Sequence, residues 1–511
     1  MTMDILDPIF HAAPAVFAPS VILAMIVGVA VGIAVGALPG LSATMGIAVL
    51  IPLTFTMSPL VALGMVAGIY NGAMYGGSIP AILLRIPGTP AGIATVFDGH
   101  EMAKKGQARL ALDISLVSSS LGSAISALAL LFLAPPLAAI ALKFSPADYF
   151  WLALFGLTTI SVLLAGNPAK GFLSACFGLV LGMVGIDSLT GVERFTFDNL
   201  ELLSGVDIIV LLTGLYAIPP AIDLMLGGEA FAKGSLSLGN KRGPFRWRSL
   251  IPVWIRSSVI GLVVGIIPAL GGNIAALLAW NEQRRVSKDK ANYGKGLPEG
   301  LAAPECANNA DTGATLIPAL TLGVPGNAVA AVILGALLVH GLRPGPELFR
   351  ADADTVYGFM LTMLVTAGLM FVIGKVGAKA FINVLRMPPR LLGPMILALT
   401  TVGVYAVHNS IFEVWMMLGF GAVGYAMEKL DIPTAPAVLA VILGPMAEAS
   451  FRRALLIGRG EASYFVASPI SWVLIALIAM AVLSPAVRAV RERRARGMAG
   501  ENDGDDPAPA G

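Results

Sequence analysis

The chain has 511 residues, of which 57% are hydrophobic and 13% are charged, and its mean hydropathy is +0.83. Soluble domains carry about 25% charged residues, so this composition excludes a soluble globular protein and indicates an integral membrane protein. The net charge of +2 gives no reason to expect a nucleic-acid partner. Cys176 and Cys306 stand in apolar surroundings and are predicted to be small core residues rather than a disulfide framework.

The apolar segments predict an all-α membrane fold with about a dozen transmembrane helices, because runs of roughly 20 apolar residues, enough to cross a bilayer, recur along the chain. The predicted spans lie near residues 16–38, 110–142, 147–165, 168–187, 206–226, 251–270, 354–383, 391–410, 411–428, 433–449 and 464–488. Shorter or interrupted apolar pieces lie near residues 43–63, 68–97, 271–281 and 299–340. We predict that the pieces at 68–97 and 299–340 are broken, re-entrant helical hairpins.

Glycine and proline interrupt the apolar segments at corresponding points of two halves, residues 1–226 and 251–450. The matched prolines are Pro39, Pro80 and Pro87 in the first half and Pro268, Pro318 and Pro325 in the second. Such matched interruptions are the best sequence indication of a transporter binding site. The reason is that non-helical backbone is tolerated in a membrane only where it is buried or lines a cavity.

The basic residues predict the orientation of the chain, because Lys and Arg concentrate in short cytoplasmic loops. Residues 227–250 form a predicted basic cytoplasmic linker, whereas the acidic loop 188–205 is predicted to lie outside. The N-terminus has no nearby Lys or Arg and is also predicted outside, so the first half crosses an odd number of times and the two repeats are inverted. A terminal helix at 451–490 and a disordered cytoplasmic tail at 491–511 follow, although Arg452 falls on the wrong side.

The first interruption, Pro39–Gly40, predicts the end of one half-helix and the start of another. Proline removes a backbone donor, and Ser42 suits the N-cap of the helix that follows. A helix that starts inside the bilayer presents unpaired N–H groups and the positive end of its dipole, which together suit an anion. The alternative is a proline kink within a packed helix.

The second interruption combines glycines with hydroxyl groups inside the first hairpin. The predicted substrate-binding residues here are Tyr75, Gly76, Gly77, Ser78, Arg85, Gly88 and Thr89. Gly76–Gly77 is predicted to unwind so that the backbone can approach a ligand closely, and Arg85 is predicted to bind a carboxylate through its guanidinium fork. The alternatives are small-residue helix packing for the glycines and snorkelling to the membrane interface for Arg85.

The corresponding stretch of the second half is rich in amide and hydroxyl side chains. Its predicted substrate-binding residues are Asn308, Asn309, Thr315, Gly326 and Asn327, and its predicted sodium ligands are Asp311 and Thr312. A charge within an apolar segment is costly and marks function by default, and oxygen ligands suit a hard cation. The alternative for Asp311 is a structural ion pair with an arginine, and Glu305 is interpreted as a helix-end or interface group.

In these segments the chain closely resembles the large permease subunit of the bacterial tripartite tricarboxylate transporter family. The resemblance covers nearly the whole chain and is carried by Gly36–Leu41, Tyr75–Ser78, Ile86–Pro90, Asp98–Ala103, Ala303–Asn309 and Leu322–Gly326. It implies a multi-pass permease of the bacterial inner (plasma) membrane that works with a small four-span membrane subunit and a periplasmic solute-binding protein. It further implies secondary transport of citrate-like or other organic carboxylates, driven by a cation gradient.

This chain departs from the family at two of its charged positions. The resemblance implies a small amide at the position of Arg85 and a small residue at the position of Asp311. The two side chains are therefore also candidates for an ion pair with each other, which would leave neither free for a ligand.

The sequence predicts a cation-coupled importer of tricarboxylates or related organic carboxylates, with sodium or a proton as the coupling ion and no cofactor. Its predicted partners are the two other subunits, the carboxylate and the lipid bilayer, with no nucleic acid. The alternatives are a membrane-embedded enzyme, which would need a nucleophile or metal constellation that the sequence does not show, and a passive anion channel, which would transport without cation dependence.

Overall fold

The computed structural model describes residues 6–89, 91–163, 167–187, 190–226, 245–268, 270–385 and 387–483. These residues confirm the predicted all-α fold, since their only strands are a short antiparallel pair, Gly185–Ile186 with Glu193–Arg194. Among them, 8 helical segments are long and apolar enough to cross a membrane, and further apolar helices of 10–17 residues accompany them.

The first half consists of a short N-terminal helix and nine further helices, α2 to α10. Their bounds are α1 (Leu6–Val16), α2 (Pro19–Ala37), α3 (Ala43–Thr54), α4 (Pro59–Gly76), α5 (Ser78–Leu84), α6 (Gly92–Met102), α7 (Ala108–Ala141), α8 (Pro146–Leu163), α9 (Pro168–Gly182) and α10 (Ile208–Leu226). A π-helical turn, Ala103–Gln107, joins α6 to α7, and a 3-10 turn, Leu200–Leu202, precedes α10. The predicted spans did not include α1.

The same order of helices recurs in the second half, with one short helix, α16, inserted and a last helix, α21, added at the end. The bounds are α11 (Ile251–Ile266), α12 (Gly271–Val286), α13 (Pro298–Ala314), α14 (Leu316–Leu322), α15 (Ala328–Val339), α16 (Leu348–Ala351), α17 (Ala353–Val384), α18 (Pro389–His408), α19 (Ile411–Lys429), α20 (Ala435–Ile457) and α21 (Pro469–Leu483). The 3-10 turns Trp247–Leu250, Lys290–Asn292 and Ala462–Val466 connect them. Thus α2 to α10 correspond to α11 to α15 and α17 to α20.

Helices of each half pack on helices of the other half. The broken helix α4 packs on α2 of its own half and on the long helix α17 of the other half, and α13 packs correspondingly on α11 and on α7. In the same way α10 packs on α18 and α19, while α20 packs on α8 and α9. Each broken helix is therefore held in place by the long helix of the opposite half.

A ladder of glycines brings α2 and α4 together at backbone distance. A Cβ atom placed on Gly28, Gly32 or Gly36 would lie 2.3, 2.5 or 2.2 Å from a carbonyl oxygen of α4. Gly72 and Gly76 of α4 meet the carbonyl oxygens of α2 in the same way. Glycines spaced by four residues let membrane helices approach closely, so this pair forms a rigid support for the first hairpin.

The contacts separate the loops onto two opposite ends of the bundle. At one end α6 contacts the loop before α13, where Asp98 Oδ1 accepts hydrogen bonds from the amides of Gly296 and Leu297 at 2.9 and 2.8 Å. At the other end Ser410 donates to Glu201 Oε2 at 3.2 Å. Along the chain, three helices (α7, α8 and α9) separate the start of α7 from the loop predicted outside. These two points therefore lie at opposite ends of the bundle.

The misplaced basic residue Arg452 has a local explanation. Helix α20 continues past the predicted boundary at residue 450, and Arg452 pairs with Asp187 at 2.8 Å and with Glu448 at 2.5 Å. Arg194 joins the same carboxylates. Since Asp187 adjoins the loop predicted outside, acidic partners neutralise Arg452 there. A count of basic residues alone misreads such a neutralised charge.

Other boundaries differ modestly from prediction. The last described helix, α21, begins at Pro469, close to the predicted span at 464–488, whereas the start of the region 451–490 predicted as a terminal helix contains the end of α20. Most of the predicted linker, residues 227–244, and the tail at 491–511 lie outside the described residues. Cys306 is buried as predicted, but the prediction for Cys176 is wrong, since its side chain is exposed on α9.

Candidate functional site

The first interruption of each half ends one helix and starts another, as predicted. Helix α2 ends at Ala37, Gly40 has a left-handed φ of 88°, and Ser42 Oγ caps α3 by accepting from the amide of Met45 at 3.2 Å. In the second half α11 ends at Ile266 and α12 starts at Gly271, with no side-chain cap. Ser42 is therefore an N-cap, and its side chain is half-buried.

The second interruption is a bend rather than an unwound segment. Gly77 and Thr315 keep helical dihedrals, with φ -60°, ψ -21° and φ -67°, ψ -21°. Pro80 and Pro318 lack the amide that would bond the carbonyl four residues earlier, so each helix bends without opening. The predicted unwinding at Gly76–Gly77 is therefore wrong. Gly76 packs against Ile33 of α2, which is the small-residue alternative.

After each bend the chain turns back and touches the helix that it has just left. A Cβ atom on Gly88 would lie 2.8 Å from the carbonyl oxygen of Gly36 and 2.8 Å from Cα of Gly77. A Cβ on Gly326 would lie 2.8 Å from Cβ of Thr315 and 2.9 Å from the carbonyl oxygen of Gly265. Both hairpins thus close through the same glycine contact at matched positions.

In the second half this contact gathers several predicted residues around one buried carboxylate. Asn327 caps α15 and donates from Nδ2 both to Asp311 Oδ2 and to the hydroxyl of Tyr70, each at 3.1 Å. The Tyr70 hydroxyl lies 3.4 Å from Thr315 Oγ1, and the amide of Gly272 also bonds Asp311. Tyr70 joins the two halves here, although it was not among the predicted site residues.

Two oxygens of this cluster have no hydrogen-bond partner within the described part of the chain. They are Asn308 Oδ1 and Asp311 Oδ1, on side chains that are 4% and 0% exposed. Thr312, by contrast, donates its hydroxyl to the carbonyl of Asn309 in its own helix at 2.9 Å. Buried polar atoms are almost always paired, so the two free oxygens indicate a position for a ligand.

A second buried carboxylate, Glu305, lies on α13 nearer to its N-terminus than Asp311. It accepts hydrogen bonds from Ser115 and Ser119 of α7, both at 2.9 Å, and from Thr95 of α6. Ser115 Oγ also lies 2.7 Å from Ser78 Oγ, so Glu305 is linked to the bend of the first hairpin. The interpretation of Glu305 as a helix-end group is wrong, because hydroxyls from two other helices surround it.

The hydroxyls that hold these residues come from a serine face on α7 that was not predicted. Its buried members are Ser115, Ser118, Ser119, Ser123 and Ser126. Ser123 donates to Asn309 Oδ1 at 3.3 Å, and in the matched contact Asn71 Nδ2 donates to Thr366 of α17 at 2.9 Å. The spacing of three or four residues between serines was a readable signal, but their partner helix was not.

Arg85 stands apart from these clusters. It ends α5 in a left-handed conformation with φ 62°, and its side chain is exposed. Asp311 takes its hydrogen bonds from Asn327 and Gly272. An ion pair between Arg85 and Asp311 is therefore not formed among the described residues.

Comparison with known proteins identifies the family. The chain matches the tripartite tricarboxylate transporter TctA family over residues 22–439. It belongs to that family. It is 34% identical over 497 residues, 96% of this chain and 99% of the relative, to an uncharacterised 52.8 kDa protein in the TAR-I ttuC′ 3′ region of Agrobacterium vitis. It is 32% identical over 234 residues, 46% of this chain and 97% of the relative, to an uncharacterised protein in the TAR-II ttuC′ 3′ region of the same organism. No solved structure matches it.

As a TctA-family chain, this is a multi-pass membrane component of a transporter, which favours transport over the enzyme alternative. Its predicted binding residues fall into three degrees of exposure. Arg85 is exposed; Ser42, Thr89 and Asn327 are half-buried; and Tyr75, Gly76, Gly77, Ser78, Gly88, Asn308, Asn309, Thr315 and Gly326 are buried.

The two bends of this TctA-family chain do not coincide along the α4–α13 crossing. Tyr70, seven residues before Gly77, lies level with Thr315, whereas Ser78 lies level with Glu305 through Ser115. The two bends are thus offset from each other along this crossing. Tyr70 and the Ser78–Ser115–Glu305 chain span this offset.

Proposed function

We propose that this chain is the permease subunit of a binding-protein-dependent secondary transporter in the bacterial inner membrane. It imports tricarboxylates or related organic carboxylates together with a cation. The observation that carries the proposal is the matched glycine contact of the two hairpins, at Gly88 and Gly326, which folds non-helical backbone into the interior of the bundle. In a membrane such backbone is expected where it serves a solute pathway.

Helix N-termini supply the groups that suit a carboxylate. Helix α6 begins without a side-chain cap, so the N–H groups of its first turn are not taken by a cap, whereas at the start of α12 the amide of Gly272 bonds Asp311. Thr89 lies just before α6, and Ser42 and Asn327 start α3 and α15. Positive helix ends and hydroxyl or amide groups would replace the water around an organic acid.

The cation is proposed to be sodium or a proton, and the described residues fit a hard cation at Asp311. The free oxygens Asn308 Oδ1 and Asp311 Oδ1 are the oxygen donors that sodium prefers. A bound cation would supply the positive charge that this buried carboxylate lacks. The small four-span subunit and the periplasmic binding protein are proposed to complete the transporter and to deliver the solute.

Uptake of radiolabelled citrate and of smaller carboxylates, in cells that express the chain with both partner subunits, tests the proposal. Thr89→Val removes one half-buried hydroxyl with little change in volume and should raise KM by about tenfold, at an unchanged level of protein in the membrane. Thr355→Val, another half-buried threonine at the start of α17, is the matched control. Equal uptake by Thr89→Val and wild type would remove Thr89 from the site. Uptake without a binding protein would contradict the tripartite assignment.

A further inference from the structure

The two halves differ in the residues that surround the proposed cation site. Their registers are fixed by shared landmarks: Gly36, Pro39 and Leu41 match Gly265, Pro268 and Leu270, and Pro80 and Gly88 match Pro318 and Gly326. The backbone follows the same registers, since Leu41 bonds the carbonyl of Leu38 as Leu270 bonds that of Ile267. Equivalent positions in the two halves can therefore be compared one by one.

The first half has, among its described residues, one buried amide oxygen without a hydrogen-bond partner, Asn71 Oδ1, but it has no carboxylate at the position of Asp311. By these registers, Asn308 corresponds to Tyr70 and Asp311 corresponds to Ala73. A phenol and a methyl group thus stand where the second half has an amide and a carboxylate. The Tyr70 hydroxyl, moreover, is engaged with Asn327 and Thr315 of the second half.

The backbone that faces these oxygens differs in the same direction. Gly272 of α12 lies directly against the first of them, since a Cβ there would be 2.5 Å from Asn308 Oδ1, whereas the free oxygen Asp311 Oδ1 lies 2.8 Å from a Cβ placed on Gly265 of α11. The counterpart of Gly272 in α3 is Ala43, which is buried. Glycine in the second half thus leaves space beside Asn308 Oδ1 that a methyl group takes up in the first half, whereas the position beside Asp311 Oδ1 is glycine in both halves, Gly265 and Gly36.

We propose that this chain binds a single sodium ion on α13 where α11 and α12 pack against it, held by Asn308 Oδ1 and Asp311 Oδ1, and that the first half, which lacks the carboxylate, has no equivalent ion. The inference deepens the proposed function and rests on it for the role of the ion in coupling. It replaces Thr312 by Asn308 as the partner of Asp311. Tyr70 and Asn327 then tie the ion to the second hairpin, because Asn327 bonds both Tyr70 and Asp311.

Thermal unfolding of the purified full-length chain in detergent tests the site without measuring transport. The Tm should rise with NaCl concentration at constant ionic strength against choline chloride, because a ligand that binds only the folded state stabilises it. Direct binding of ²²Na⁺ should saturate at one ion per chain. A wild-type chain that shows neither effect, or that responds equally to potassium and choline, overturns the proposal, and so does a response to pH alone.

Three variants locate the ion. Asp311→Asn should abolish the sodium-dependent rise in Tm, and Asn308→Ala and Gly272→Ala should weaken apparent sodium affinity by about tenfold or more. In Gly272→Ala the clash is with the end of the Asn308 side chain, which can move, so folding should survive. Glu305→Gln alters the other buried carboxylate of α13 and is the matched control, which should keep the wild-type sodium response.

The failure of this inference differs from the failure of the proposed function. If the variants keep wild-type sodium binding while carboxylate uptake remains cation-dependent, the ion lies elsewhere and only the site is wrong. Saturation at two ions per chain contradicts the single site. If sodium binds as proposed but no carboxylate is taken up with both partners present, the site stands and the proposed function does not.

Discussion

At the scale of single residues, Arg85 carries a conformational cost that its counterpart avoids. Both α5 and α14 end in a left-handed residue, Arg85 with φ 62° and Gly323 with φ 72°. The amides of Ile86 and Val324 then bond the carbonyls of Pro80 and Pro318, both at 3.3 Å. This closure is the usual helix C-terminal motif, in which glycine is preferred. A residue with a Cβ atom adopts the same turn only at a cost in conformational free energy.

Arg85→Gly should therefore stabilise the chain by about 1 kcal/mol, seen as a higher Tm of the purified protein. Arg85→Ala keeps the left-handed strain and removes the same guanidinium, so it should show no such gain. Both variants also test the prediction that the guanidinium of Arg85 binds a carboxylate. If uptake falls in both, the charge binds solute; if uptake is unchanged in both, Arg85 serves only the helix end. A Tm of Arg85→Gly below that of Arg85→Ala would contradict the backbone argument.

Glu305 shows how a buried carboxylate can be satisfied without a cation. Three hydroxyls, those of Thr95, Ser115 and Ser119, donate to its two oxygens. Hydrogen bonds to a charged acceptor are stronger than those between neutral groups. The residue therefore joins α6 and α7 to α13 at the level of the first bend, and its removal should be felt as lost stability.

Glu305→Leu should lower the free energy of unfolding by about 1–3 kcal/mol for each hydroxyl left unpaired, whereas Glu305→Gln keeps acceptor capacity and should lose much less. Unfolding of the purified chain, followed by heat or by denaturant, measures the difference. Ser119→Ala combined with Glu305→Leu should cost less than the sum of the two single changes, since one orphaned hydroxyl has gone. Strict additivity would show that the two side chains do not interact.

At the scale of elements, the hairpins depend on the absence of side chains at two glycines. The surrounding atoms at Gly88 and Gly326 are mainly backbone or a β-branched side chain, which cannot move aside as a flexible side chain would. A methyl group there must therefore push the returning loop away from the bend. The displacement would reach Thr89 in one hairpin and Asn327 in the other.

Gly88→Ala and Gly326→Ala should each abolish carboxylate uptake and destabilise the chain by about 1–3 kcal/mol, the cost of overpacking a tight contact. Gly368→Ala in α17 and Gly419→Ala in α19 are matched controls, because a Cβ at either position meets no atom within 4 Å. These two should transport normally and gain up to about 1 kcal/mol from better helix propensity. Normal uptake by Gly326→Ala would contradict the hairpin contact.

Much of the arrangement of elements was readable in the sequence, because prolines mark helix ends locally. Pro39 and Pro268 predicted the helix breaks that the structure contains. The behaviour of Gly77 was not readable, since a flexible glycine takes whatever dihedral its neighbours impose; here its amide bonds the carbonyl of Ala73 at 3.1 Å and it stays helical.

The polar clusters were only half predictable from the chain. Asp311 and Asn327 drew attention because a charge or an amide is unusual in an apolar segment. The partners Tyr70, Ser115 and Ser119 did not draw attention, because hydroxyl groups are common in membrane helices. The role of the two serines becomes visible only when α7 packs on α13. That pairing joins opposite halves of the chain, and no local pattern specifies it.

At the scale of the whole molecule, the contacts agree with two repeats inserted in opposite senses. The loop between α3 and α4 lies beside the ends of α15 and α18, since Thr54 contacts His340 at 3.5 Å and the rings of Phe55 and His408 are 5.9 Å apart. The matched loop between α12 and α13 lies instead at the opposite end, beside Asp98 of α6. Parallel repeats would place these two loops on one side.

Single cysteines in the matched loops test the inversion directly. In a background in which Cys176 and Cys306 are replaced by serine, Thr56→Cys and Lys288→Cys place one thiol on each exposed loop. Each variant is exposed to a membrane-impermeant maleimide in right-side-out and in inside-out inner-membrane vesicles. In each orientation only one of the two variants should react, and the reactive variant should change when the orientation changes. Val192→Cys, in the loop predicted outside, should follow Thr56→Cys, because Glu201 of that loop bonds Ser410 at the end of α18. Labelling of Thr56→Cys and Lys288→Cys from the same side would contradict the inverted repeat, and with it the correspondence of Gly88 with Gly326 on which the proposed solute site depends.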